Sequence, residues 1–198
     1  TQPGARGSSG HSAFQLGCET AAITHGHPTG ILASGLFANI ISQLLQGASL
    51  HDAIEHGMGL LRQHPQHEET ERIVRRACEL AANLPDPNTL PDELGEGWIA
   101  EEALALSLYA ALVAPDLESG VILAVNHGGD SDSTGSIAGN LLGAMYGLDA
   151  IPSRWLADLE LREVIEEVAD DLASMWFWEL DDDDHRNSDV IWERYPGW

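Results

Sequence analysis

The stretch "HGGDSDSTGSIAGNLLGAMYG", residues 127–147, places two carboxylates and a hydroxyl at Asp130, Asp132 and Ser133, directly ahead of glycines at 135, 139, 143 and 147. In an extended segment, side chains two residues apart project to the same side. Asp130 and Asp132 can therefore aim both carboxylates at one point. Ser133 adds a hydroxyl where a helix is expected to begin, and serine is also a favoured N-cap there. Carboxylate and hydroxyl donors suit a hard cation, Mg²⁺, Mn²⁺ or Ca²⁺, better than zinc. An EF-hand loop is excluded, because counted from Asp130 its twelfth position is Leu141 and the bidentate glutamate is absent. The plainer alternative is an acidic turn leading into a helix of small residues.

The glycines bear on that choice. Each costs about 1 kcal/mol relative to alanine inside a helix, so a run at every fourth position implies that something needs the missing side chains. Close helix-to-helix approach is the usual need, and the expectation is a buried strut with the acidic loop fixed at its N-terminal end.

The rest of the chain supplies helices to hold that loop. Periodic segments cover residues 13–25, 31–46, the stretch after the N-cap candidate Ser49, 66–84, 99–113, 117–126 and 159–178. The apolar 31–46 segment is expected to be a central helix. Residues 85–97, "PDPNTLPDELGEG", must be a loop, and no alternating β-branched run of useful length exists. The fold class is all-α, a multi-helix orthogonal bundle. The expected organisation is a flexible Gly/Ser-rich arm over 1–12, a helical domain over 13–180, and an acidic and aromatic tail over 181–198. In that tail Asp181–Asp184 form a solvated charge run, and Trp192, Tyr195 and Trp198 can pin it back.

At 198 residues and 43% hydrophobic content the chain can bury a real core. Its net charge of -23, with 32 acidic against 9 basic residues, excludes nucleic-acid binding as a main function. Cys18 and Cys78 are the only cysteines, with neither a CxxC spacing nor zinc-finger partners, and are expected to be reduced, buried thiols. No signal peptide opens the sequence and no run approaches the ~20 apolar residues of a spanning helix. The expectation is a cytoplasmic protein with no membrane partner.

"NHGGDSDSTGSIAGNLLGAMYG" resembles the C-terminal signature of the ADP-ribosylglycohydrolase family, which includes arginine-directed ADP-ribosyl hydrolases and the nitrogenase-reductase activating glycohydrolase. "AAITHGHPTGILASGLFANIISQLLQG", residues 21–47, resembles the family's Thr-His helix pair. "GEGWIAEEALALSLYA", residues 95–110, is a third match in the family's order. The resemblance implies a binuclear Mg²⁺ or Mn²⁺ site and hydrolysis of the bond between C1″ of ADP-ribose and a modified side chain, arginine favoured. It assigns Asp130, Asp132 and Ser133 as metal ligands, with Asp132 bridging, and His25, Gly128 and Gly129 as ligand-binding positions. It leaves no catalytic residue identified. His27 and His127 are expected to cap helices or support loops, and Trp98 either walls the ligand pocket or packs in the core.

Family members open with a Gly-Asp-Ala-rich segment and a Thr-Asp-Asp-Thr metal motif, neither of which is found in residues 1–12. The resemblance therefore covers a C-terminal portion. The expected partners are an ADP-ribosylated protein or ADP-ribose, together with a segment or chain supplying the other metal ligands, without which the chain is expected to be inactive. The alternative is a non-catalytic ADP-ribose-binding or crystallin-like structural protein on the same scaffold.

Overall fold

A computed structural model describes residues 12–83, 85–174 and 194–195. Among these residues there are nine α-helices and no strand. The expected arm, apart from Ser12, the Asp181–Asp184 run, and Trp192 and Trp198 lie outside them. The chain divides into two compact units, Thr1–Pro152 and Ser153–Trp198.

The first unit begins with α1 (Ala13–Ala21), capped by Ser12, whose hydroxyl accepts the Gln15 amide. α1 stops four residues short of the expected end, so His25 sits in the connection to the next helix. α2 (Pro28–Leu45) starts earlier than its apolar run suggests, with Pro28 in its first turn, where a missing N–H costs nothing. It packs against α1, α3, α4, α5 and α7, as expected of a central helix. Its 18 residues, with a mean hydropathy of 1.3, would be long and apolar enough for a bilayer, yet Leu36, Ile40 and the polar Asn39 are buried against neighbouring helices.

α3 (Leu50–Leu61) starts at Ser49, whose hydroxyl accepts the Asp52 amide as the sequence predicts. α4 (Glu68–Asn83) follows, then the 85–97 loop with a single 3₁₀ turn at Asp92–Leu94. Leu90 and Leu94 of that loop are buried, and the Asp86 amide donates to the hydroxyl of the fully buried Tyr109 at 2.9 Å. α5 (Ala100–Val113) buries every residue from Ala103 to Ala111, so it is apolar on all sides.

α6 (Leu117–Val125) and α7 (Ser131–Tyr146) pack together and on α5. The glycine run of α7 is not the packing stripe the spacing suggests. A Cβ on Gly135 would meet Val125 Cγ1 at 2.5 Å, but Gly139 and Gly143 have no described neighbour within 4 Å. Gly147 caps the helix at φ +77°, a backbone region open to glycine. The close contact lies instead between α1 and α2: a Cβ on Gly35 would meet the Phe14 carbonyl oxygen at 2.8 Å and the Cys18 sulfur. Cys18 and Cys78 are free thiols, each partly buried.

In the second unit, α8 (Ser153–Ala157) and α9 (Arg162–Ser174) are described. Asp171 accepts from the Arg194 guanidinium, Nη2 to Oδ1 at 2.9 Å, and from the Tyr195 hydroxyl. Tyr195 is thereby tied to α9, as the pinning of the tail requires.

Candidate functional site

Four helices of the first unit begin at one cleft of about 600 Å³. His27 and Gly30 come from the start of α2, Glu69 from α4, Ile99 to Glu101 from α5, and Asp130 and Ser133 from α7. Each helix start carries unpaired amides and a partial positive charge. Four together favour anionic groups, whether side-chain carboxylates or the phosphates of a ligand.

Asp130 is the N-cap residue of α7 and Ser133 lies in its first turn, so the helix begins before Ser133 and the serine is not its cap. Because the backbone is helical from Ser131, the same-side argument for Asp130 and Asp132 does not hold. The cleft takes Asp130, Ser133 and Ile137, spaced three and four apart on one helical face, while Asp132 projects off that stripe and is exposed. The two carboxyls still meet at the helix start. Asp132 is held below the usual carboxylate range, first by a hydrogen bond with the Asp130 carboxyl and then by the Ser133 amide, which donates at 3.1 Å.

The donors here are all oxygen, which fits Mg²⁺ or Mn²⁺ in kind. In number they fill part of one coordination shell. Among the described residues no three His, Cys, Asp or Glu side chains converge closely enough to hold a metal ion. Asp130, Asp132 and Ser133 can thus approach a hard cation from one side only.

Two loops fix this corner. The Asp130 amide donates to the Glu96 carbonyl at 2.8 Å. The Glu102 carboxylate accepts the Glu96 and Gly97 amides, both at 3.2 Å, which folds the end of the 85–97 loop against α5. His127 supports the other side: Nδ1 accepts the Gly129 amide at 3.2 Å and Nε2 lies 2.8 Å from the Thr134 hydroxyl. Thr134, fully buried, also donates to the Ala124 carbonyl at 2.8 Å. This supporting role for His127 is the one its position suggests.

His25 lines the cleft, its Nδ1 2.8 Å from the Thr24 hydroxyl. His27 caps α2, accepting the Thr29 amide on Nδ1 at 3.3 Å. Trp98 is a cleft wall and not a core residue: it is 65% exposed, and its indole N–H donates to Glu96 at 2.9 Å. Gly128 and Gly129 line a separate 130 Å³ depression behind the loop. Gly129 has its backbone pressed against Glu96, while Gly128 faces open space.

Glu69 and Glu101 are cleft residues that the motifs do not single out. Glu69 accepts from the buried Thr29 hydroxyl at 2.7 Å. Glu101 is only 6% exposed, and burial raises its pKa, with the charges of Glu69 and Glu102 adding to the rise and the nearby His27 and its own amide opposing it. The sequence signal for them is weak: each sits in the first turn of a helix, where acidic residues are common anyway.

The sequence profile of the family described as ADP-ribosylglycohydrolase matches residues 3–181. The chain is 29% identical over 143 residues to the ADP-ribosyl-[dinitrogen reductase] glycohydrolase of Rhodospirillum rubrum, covering 72% of this chain and 42% of that protein. It is 31% identical over 84 residues to the ADP-ribosylarginine hydrolase Tri1 of Serratia proteamaculans, covering 42% of this chain and 23% of the relative. A solved structure titled "ADP-ribosylglycohydrolase-related protein complex" is similar with a TM-score of 0.62 at 34% identity, over 79% of this chain and 50% of that one. The chain therefore spans less than half the length of these two curated relatives.

Proposed function

Because this chain belongs to the ADP-ribosylglycohydrolase family, we propose that its cleft binds the ADP-ribosyl group of a modified protein and serves hydrolysis of the glycosidic bond joining it to a side chain, arginine favoured. The observation that carries this reading is the convergence of four helix starts on one cleft holding His25, Trp98, Asp130 and Ser133. Their amides suit the diphosphate, and the exposed Trp98 and His25 rings offer flat surfaces for a base or ribose.

In this proposal Asp130, Asp132 and Ser133 hold Mg²⁺ or Mn²⁺, and the metal, when bound, orients ribose hydroxyls and a water and polarises the bond to be cleaved. The chain's own part is positional. The Asp130–Glu96 hydrogen bond fixes the acidic helix start, His127 braces the loop behind it, and Trp98 forms one wall of the cleft.

The one-sided donor set favours a second element of the reading: residues 12–174 bind the ligand without turning it over until further oxygen donors are supplied. A non-catalytic ADP-ribose binder on this scaffold has the same requirement for the cleft and none for the added donors.

Calorimetry with ADP-ribose, with and without Mg²⁺, tests the proposal. The expected result is binding that Mg²⁺ strengthens and that Asp130→Asn weakens about tenfold or more, the scale for losing a charged ligand. Absence of ADP-ribose binding under both conditions overturns it. Release of ADP-ribose from an ADP-ribosylated arginine peptide, measured with and without an added family segment carrying the Thr-Asp-Asp-Thr motif, separates hydrolase from binder.

A further inference from the structure

The helix α9 inverts the usual burial of an amphipathic helix. Its apolar side chains Val164, Ile165, Val168 and Leu172 recur at helical spacing on one face, with Leu161 just ahead of the first turn. These five residues are between 36% and 67% exposed. The buried residue of α9 is instead Asp171, held by the Arg194 guanidinium and the Tyr195 hydroxyl. Ion pairs along the helix, such as Arg162 Nε to Glu166 Oε1 at 2.7 Å, support the helix itself but do not account for the stripe. From Leu161 to Leu172 the stripe runs about 16 Å, three helical turns. A contiguous apolar face of that extent, rimmed by polar residues and left open, marks a docking surface.

Charge decides what fits there. Residues 153–174 carry seven acidic residues against two arginines, and α9 alone has five carboxylates against Arg162. A second copy of the chain would bring a like-charged face against it, and an anionic lipid surface would repel it. We propose that the stripe of α9 docks an amphipathic helix of a partner protein, whose apolar face covers Val164, Ile165, Val168 and Leu172 and whose Lys or Arg flanks meet the α9 carboxylates. Such a pairing buries apolar area at its centre and sets opposite charges at its rim. The first supplies affinity, and the second selects the partner and its orientation.

Fluorescence anisotropy with the full chain and a labelled Leu/Lys peptide of about four helical turns, patterned to be amphipathic as a helix, tests the proposal at physiological ionic strength. A peptide of the same composition, scrambled so that no apolar face forms, is the control. The amphipathic peptide is expected to bind at least about tenfold more tightly than the scrambled one. The double substitution Ile165→Asp and Leu172→Asp should weaken it about tenfold or more, although it adds two negative charges that a purely electrostatic attraction would reward with tighter binding. Leu45→Asp, at an exposed leucine closing α2, should change nothing. If the double variant loses helix content by circular dichroism, Ile165→Gln, which keeps helix propensity and the net charge, gives the same reading and should weaken binding about threefold or more. Equal affinity for the two peptides, or unchanged or tighter binding by the Asp variant, overturns the proposal. So does concentration-dependent dimerisation that the Asp variant abolishes, which assigns the stripe to a second copy. Binding to phosphatidylglycerol vesicles that the Asp variant abolishes also overturns it, by assigning the stripe to a lipid surface.

Discussion

Asp130 and Glu96 are joined backbone to backbone, the Asp130 amide donating to the Glu96 carbonyl at 2.8 Å, and this bond brings the acidic start of α7 against the loop that carries Trp98. The approach is possible because Gly129 has no side chain, since a Cβ there would sit 2.6 Å from the Glu96 carbonyl carbon and closer still to its oxygen.

Gly129→Ala should therefore push the loop away and disconnect the two cleft walls. ADP-ribose affinity is expected to fall about tenfold or more, with α-helix content by circular dichroism retained. Gly128→Ala, which meets nothing within 4 Å, should leave affinity unchanged. Calorimetry on the pair checks the contrast.

The α7 glycines divide in the same way. Gly139→Ala and Gly143→Ala meet no described neighbour and should each stabilise the protein by about 0.5–1 kcal/mol through helix propensity. Gly35→Ala forces apart α1 and α2, because the Phe14 carbonyl cannot yield, and should destabilise by about 1–3 kcal/mol. Thermal or urea unfolding measures all three.

Glu101 gives stability a pH dependence of definite sign. Its pKa in the folded protein is raised by burial, and by Glu69 and Glu102 against the weaker pull of His27. The folded state then holds a proton that the unfolded state releases, so stability declines as pH rises from the ordinary carboxylate range through the raised folded value. Wild type should trail Glu101→Gln in Tm at neutral pH, and the gap should close as pH falls below about 4, the unperturbed carboxylate range. A gap that persists or widens in acid contradicts this assignment.

Cys78 is pushed up to about 11, chiefly by burial and then by the charges of Glu55 and Glu79. Little thiolate forms at neutral pH, so alkylation in the folded state should run about a hundredfold slower than for an exposed cysteine and accelerate on unfolding. Mass spectrometry after timed labelling with iodoacetamide follows it.

The helices were largely legible because their signals are local. Ser49 as a cap, Pro85 and the glycines around 95–97 as breakers, and the apolar run of α5 each act through their own neighbours. Asp130 and Ser133 were legible as a motif, but their geometry was not. Asp130 takes the N-cap position, so the helix starts earlier than the serine suggests and turns Asp132 off the cleft stripe. Glu69 and Glu101 were hidden for a different reason. They are two among 32 acidic residues, and what distinguishes them is a shared cleft wall, with Glu101 also buried, which only the packing of α4 on α5 creates. The glycine run misled because spacing shows which residues share a helix face and not whether another helix lies opposite.

The cleft takes its walls from positions near 27, 69, 101 and 130, each separated from the next by some thirty to forty residues of helix and loop. No peptide shorter than the span from His25 to Ile137 contains the site, and no partly folded form lacking one of the four helices encloses it. Occupancy of the cleft is for that reason a probe of cooperativity: a ligand that binds there should protect the amides of all four helix starts from hydrogen exchange together, and a single proteolytic cut that releases any one of them should abolish binding in one step.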